Sequence, residues 1–134
     1  MIRYMLDTDI CSYIMREKPL HVFERFDALE MSQFCISVIT YAEFMYGIAY
    51  SSNPEKTAVV VDRFVEHVSV IPWDRPAAER YGKIRASLQA AGNIIGAMDM
   101  MIAAHALSCD MVLVTNNEKH FKRVQGLRVE NWAA

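Results

Sequence analysis

The period of the apolar positions changes several times along this chain. Ile2 to Leu6 is a short apolar run that stops at Asp7-Thr8-Asp9. Helical spacing follows from about Asp9 to Arg16, and Pro19 forces a break. A second helix is expected from about Pro19 to Leu29, because proline fits a first turn, where its missing N–H has no intrahelical partner. Val22, Phe26 and Leu29 share one face of it, with Phe23 beside them. Phe34 to Val38 reads as a short buried strand. The next segment, Thr40 to Tyr50, is apolar nearly all round. Such a helix is either fully buried or covered by another chain, and in a domain this small a subunit interface is expected for part of it.

Asn53-Pro54 opens another helix, whose Val61, Phe64, Val65 and Val68 follow the i, i+3, i+4, i+7 rule. An extended segment from Val68 to Ile71 comes next. Asp74 is placed to cap a longer helix with Tyr81, Ile84, Leu88 and Ala91 as its buried stripe, ended by Gly92. A loop from Asn93 to Ala97 precedes a small-residue helix, Met98 to Leu107. Met111 to Thr115 is a strong strand, a short basic helical turn leads to Phe121, and Leu127 to Glu130 reads as a last edge strand. Strands alternating with helices predict one α/β domain over residues 1–134, a three-layer sandwich with a mostly parallel central sheet flanked by helices.

That architecture changes the meaning of the acids. Asp7, Glu43, Asp99 and the Asn116-Asn117-Glu118 turn all fall just past a strand or at a helix start. In a parallel sheet these positions gather at one edge, where open α/β sheets place their ligands. Each acid has an ordinary competing role. Asp7 can cap a helix, Glu43 can be the capping-box partner of Thr40, and Asp99 and Asp9 can be first-turn acids that suit the helix dipole. Taken together they favour a cation site, since carboxylates in one place repel each other unless a cation joins them. Oxygen donors suit Mg²⁺ or Mn²⁺. Two such ions about 3.5–4 Å apart activate a water and stabilise the leaving oxygen of a phosphodiester. The products are a 5′-phosphate and a free 3′-hydroxyl. His21, His67, His105 and His120 show neither zinc spacing nor an obvious partner.

Composition narrows the classes further. The 134 residues are 53% hydrophobic, enough for one real core. Cys11, Cys35 and Cys109 are odd in number and scattered, which suggests neither a disulfide framework nor a zinc knuckle. They read as free thiols in a reducing cytosol. No charged segment leads into a long apolar run, and no apolar stretch is long enough to span a bilayer, so a cytoplasmic protein is expected. A net charge of −2 argues against a general nucleic-acid coat protein. Cations bound at an acidic cluster would nevertheless leave the rest of the surface effectively basic. Arg3, Lys83, Arg85, Lys119, Lys122 and Arg123 are candidates for phosphate contact, against the plain reading of a solvated surface.

The acidic segments resemble those of a known family. M-L-D-T-D is similar to the opening of PIN-domain ribonucleases, in particular the VapC toxins of bacterial toxin–antitoxin pairs. I-S-V-I-T-Y-A-E-F-M-Y-G resembles their second acidic segment, with Glu43 as the acid. M-D-M-M-I-A-A-H-A resembles the third, with Asp99, and V-L-V-T-N-N-E-K-H-F the fourth. The resemblance covers essentially the whole chain, in order. It implies a PIN-like sandwich and a Mg²⁺-dependent endoribonuclease, with Mn²⁺ able to substitute. Asp7, Glu43 and Asp99 would be its catalytic and metal-binding acids. It also implies a homodimer, a cognate VapB-like antitoxin that places residues in the cleft, and a toxin–antitoxin hetero-oligomer. The implied substrate is structured RNA, often a tRNA anticodon loop, with initiator tRNA favoured.

Two positions depart from the pattern. Position 9 is commonly Asn and is Asp9 here, and many members carry an acid where this chain has Asn117. An amide oxygen can ligate a cation or its water but carries no charge, so Glu118 or Asp9 are candidates to compensate. Thr8, Thr115 and Asn116 are further candidates for support. Two other readings compete. D-T-D after a first strand also resembles an aspartate-nucleophile phosphatase motif, and a catalytically weak PIN fold could serve only as a protein-binding module.

Overall fold

The computed structural model describes residues 2–134. Among them, five strands form one all-parallel sheet: β1 (Tyr4–Leu6), β2 (Phe34–Ser37), β3 (Ser69–Ile71), β4 (Val112–Val114) and β5 (Val129–Glu130). The sheet order is β3-β2-β1-β4-β5, with Met5 opposite both Cys35 and Leu113. The central strands are apolar without alternation because helices cover both faces. The chain moves outward in one direction to β3, then crosses back to β4. β1 therefore stands at the switch in strand order, where such sheets open a crevice at their carboxyl edge.

The helices are α1 (Thr8–Arg16), α2 (Leu20–Asp27), α3 (Val38–Tyr50), α4 (Pro54–Val65), α5 (Arg75–Ala90), α6 (Ala97–Ser108) and α7 (Glu118–Phe121). Two buried clusters fill the layers. Tyr4, Leu6, Ile10, Ile14, Val22, Ile36, Phe44 and Phe64 pack on one side of the sheet. Met5, Leu88, Ile102, Ala103, Leu113 and Phe121 pack on the other. Ala103, Ala104 and Ala106 of α6 are buried, so that helix lies close against the sheet.

Every expected element forms, with shifted ends. The first strand begins at Tyr4 rather than Ile2, the Met111–Thr115 segment shortens to its central three residues, and Leu127–Glu130 shortens to its last two. A 3-10 turn over Met31–Gln33, closed by a Glu30–Gln33 capping box, was not expected. The chief correction concerns α3. It starts at Val38, capped by the Ser37 hydroxyl, which accepts from the Ile39 N–H at 3.1 Å. Thr40 thus lies inside the helix and is buried, and the competing reading of Glu43 as its capping-box partner is not realised. Strand β2 runs into the helix without a linker, and its last serine serves as the cap. Glu43 is thereby released for other work.

Part of α3 is uncovered: Tyr46 is 67% and Tyr50 79% exposed, with their rings stacked at 5.7 Å. No helix among the described residues is long and apolar enough to cross a membrane.

Candidate active site at the carboxyl edge of the sheet

Asp7 follows the last residue of β1 and caps α1. It is buried, and both carboxylate oxygens are engaged. Oδ1 accepts from the Thr8 N–H at 2.8 Å, and Oδ2 accepts from the Thr115 hydroxyl at 2.7 Å. Capping and cleft lining, which compete as explanations of this residue in the sequence, are both realised. Asp9, in the first turn of α1, accepts from the Ile10 N–H at 2.7 Å and the Asn116 N–H at 3.2 Å. Glu43 projects from α3 and accepts from the Thr8 hydroxyl at 2.5 Å. Asp99 sits in the first turn of α6, with the Nδ1 atom of His120 3.9 Å from its Oδ2.

These side chains line one open cleft of about 300 Å³, together with Thr8, Ser12 and Asn117. Four segments separated by up to 110 residues meet there because each leaves the same edge of the sheet. The fourth segment ties the others together. Thr115, which donates to Asp7, also accepts from the Asn117 N–H at 3.0 Å, and the Asn117 amide lies 2.8 Å from His120.

The electrostatics are those of a site short of positive charge. Burial, with the neighbouring charge of Asp9, pushes the Asp7 carboxyl up to about 7, although its bonds from Thr115 and Thr8 oppose the rise. Burial also raises Asp9, and the charge of Asp99 adds to it. Glu43 is raised by burial and by the charges of Asp99 and Asp9, against the bond from Thr8. Asp99 is raised by burial, with His120 acting the other way. Among the described residues, no lysine or arginine lines the cleft. Four carboxylates that hinder each other's ionisation offer the oxygen donors that a hard divalent cation takes. Among the described residues, no three acidic, histidine or cysteine side chains are already drawn into a ready metal cluster. The acids instead stand around the cleft on hydrogen bonds from the protein. The donor chemistry fits Mg²⁺ or Mn²⁺.

The remaining candidates divide. Asn117, Thr8 and Asp9 line the cleft, and Thr115 supports Asp7 from behind. Asn116 contributes its backbone N–H to Asp9, while its side chain turns away to the Tyr13 hydroxyl. Glu118 faces Lys122 at 3.5 Å and Asn131, outside the cleft, so Asp9 is the extra acid placed beside Asn117. Lys83 lines a separate hollow of about 190 Å³ with Arg80 and Arg123. Arg85 donates to the Tyr81 hydroxyl, and Lys119 is exposed on α7. His120 and Ser12 were missed. His120 lies three residues after Asn117 at the start of a helical turn, and that spacing places two side chains on one face.

The chain is thus a parallel α/β sandwich with an open carboxylate cleft at its switch strand. The chain belongs to the PIN-domain family, whose model matches residues 4–127. It is 43% identical over 133 residues to the tRNA(fMet)-specific endonuclease VapC of Shigella flexneri, covering 99% of this chain and 100% of that one. It is 39% identical over 132 residues to Ribonuclease VapC2 of Haemophilus influenzae, covering 98% and 99%. The crystal structure of DNA-bound VapBC from Salmonella typhimurium superposes with a TM-score of 0.93 at 43% identity, covering 98% of this chain and 99% of that one. Family membership removes the phosphatase reading.

Proposed function

We propose that this chain is a divalent-metal-dependent endoribonuclease toxin. It cuts structured RNA in the cytoplasm, with the anticodon loop of initiator tRNA favoured, arrests translation, and is neutralised by a VapB-like antitoxin. The observation that carries the chemistry is the convergence of Asp7, Asp9, Glu43 and Asp99 on one cleft. The choice of RNA rests on relatives whose names specify tRNA(fMet).

Asp7 and Asp99 would hold Mg²⁺, or Mn²⁺ in its place, with Glu43 completing the set. When bound, the cation supplies an activated water and charge stabilisation for the phosphodiester. Asp7 is the fixed member, held at both oxygens by Thr8 and Thr115. Glu43 is held toward the cleft by the Thr8 hydroxyl, a position from which it would orient the attacking water or take its proton. Lys83, with Arg80 and Arg123 around the same hollow, and the separate side chains of Lys119, Lys122 and Arg85 would bind flanking phosphates.

Two features support the partners. An apolar groove of about 350 Å³, lined by Ile14, Phe23, Phe26, Val60 and Phe64, adjoins a second one that shares Met15 and Val60 and reaches Thr8 and Glu43. An antitoxin segment lying there would lead into the acids. The exposed Tyr46–Tyr50 face of α3 would close on its copy in a homodimer, inside a larger toxin–antitoxin hetero-oligomer.

The test is cleavage of total cellular RNA by the antitoxin-free chain with Mg²⁺, with Mn²⁺ and with EDTA, mapping the cut ends. Metal-dependent cuts in a tRNA loop that leave 5′-phosphates are expected. A folded protein that cuts nothing under any of the three conditions would instead be a binding module.

A further inference from the structure

We infer that His120 is a positioning residue: it turns the Asn117 carbonyl oxygen toward the cleft, so that an asparagine serves where an acid would otherwise stand. The inference rests on the cation site proposed above.

The two ends of an asparagine amide have nearly the same shape, but only the oxygen can bind a hard cation or accept from its water. An aspartate needs no such sorting, because its two oxygens are equivalent. Asn117 lines the cleft with four acids, so the end it presents matters. Its Nδ2 lies 2.8 Å from His120 Nδ1. An amide nitrogen only donates, so with Nδ2 facing the ring a neutral His120 accepts at Nδ1 and carries its proton on Nε2, whereas a ring protonated at Nδ1 would face Asp99 instead. With Nδ2 held by the ring, Oδ1 is the end left for the cleft.

The backbone of Asn117 is fixed independently. Its N–H donates to Thr115 Oγ1, and the Thr115 hydroxyl donates to Asp7. Residue 117 is therefore held at two points, through Thr115 to the first acid and through His120 near the third. His120 Nδ1 stands 3.9 Å from Asp99 Oδ2, which offers a second route by which the ring could act. The experiment must separate the two routes.

Mn²⁺ affinity, read from the EPR signal of free Mn²⁺ on the full antitoxin-free chain, separates them. The proteins are wild type, His120→Ala, Asn117→Asp and the double variant, with His120→Asn as the conservative replacement. The His120 side chain is 43% exposed, so its removal leaves the fold intact, which circular dichroism checks. Losing an outer hydrogen-bond partner of a metal ligand weakens binding about tenfold or more, and His120→Ala is expected to do so in the Asn117 protein. In the Asn117→Asp protein the same change is expected to have an effect of about twofold or less, since either carboxylate oxygen serves. His120→Asn, whose side-chain oxygen can accept the same bond, is expected to restore most of the affinity. Equal losses in both backgrounds would mean that the ring acts through Asp99, and no loss in either would mean that it does not act; both overturn the inference. Wild-type protein that binds no Mn²⁺ would overturn the cation site itself.

Discussion

Replacing Asp7 with asparagine should abolish cleavage and stabilise the metal-free fold. The carboxyl is held at about 7, against an ordinary value of 3.8. The folded state therefore keeps this proton over a pH range in which the unfolded chain has lost it. Stability falls as pH rises from about 4 to about 7, and above that window the whole penalty is present. About three pH units at about 1.4 kcal/mol each set a ceiling of about 4 kcal/mol. Asparagine keeps the oxygen that accepts from the Thr8 N–H. Its amide nitrogen cannot accept from the Thr115 hydroxyl, which costs about 1 kcal/mol. At about pH 8 the net gain is about 2–3 kcal/mol, or about 7–10 °C in Tm for a domain of this size. At about pH 5 only about 1.5 kcal/mol of the penalty is present, so the gain nearly vanishes.

The assay is thermal unfolding of both proteins in EDTA at those two pH values, followed by the same pair in Mg²⁺. Saturating Mg²⁺ should raise the wild-type Tm at about pH 8 and leave the variant nearly unmoved, because only the wild type gains a ligand that binds the folded state. A variant no more stable than wild type at about pH 8 in EDTA would refute the account of Asp7 as a strained acid awaiting a cation.

Asp99→Asn should also abolish cleavage while keeping the fold, checked by RNA cleavage alongside circular dichroism. Thr115→Val removes the hydroxyl that joins Asp7 to the Asn117 N–H; it should cost about 1–3 kcal/mol in denaturant unfolding, raise Asp7 further, and move the acid limb of the cleavage profile to higher pH. Phe121→Ala should cost about 3–5 kcal/mol in the same assay, since the ring is fully buried beneath the fourth segment. Tyr46→Glu with Tyr50→Glu should leave the monomer fold unchanged and shift the mass measured by light scattering from dimer to monomer.

The fold was legible because each layer announces itself locally. M-V-L-V-T and F-C-I-S are continuous apolar runs of strand length, Asp74 and Asn53-Pro54 are helix starts, and all of them form where expected. Glu43 was harder to read. Its spacing from Thr40 imitates a capping box, and the imitation fails only because Ser37 starts the helix three residues earlier. Nothing local distinguishes the two, since both are hydroxyl residues ahead of an apolar helix. The choice depends on β2 passing directly into α3. His120 was hidden for a different reason: its partners are Asn117, close in sequence, and Asp99, which only the crossing from α6 to β4 brings near.

The same geometry explains why the acids are legible as a set and ambiguous one by one. An acid at a helix start is stabilised by the helix itself, through the cap or the dipole, whether or not it has a second task. Asp7 takes that local stabilisation through the Thr8 N–H and still has a raised carboxyl, because burial and Asp9 outweigh it. A purely structural cap would sit at the surface, ionised and easily satisfied. Burying a cap beside a second acid, and opposite a third and a fourth, weakens the fold at neutral pH unless a cation arrives. The direction of that imbalance, which no single motif carries, is what the proposed cation site requires and what an ordinary exposed cap would not show.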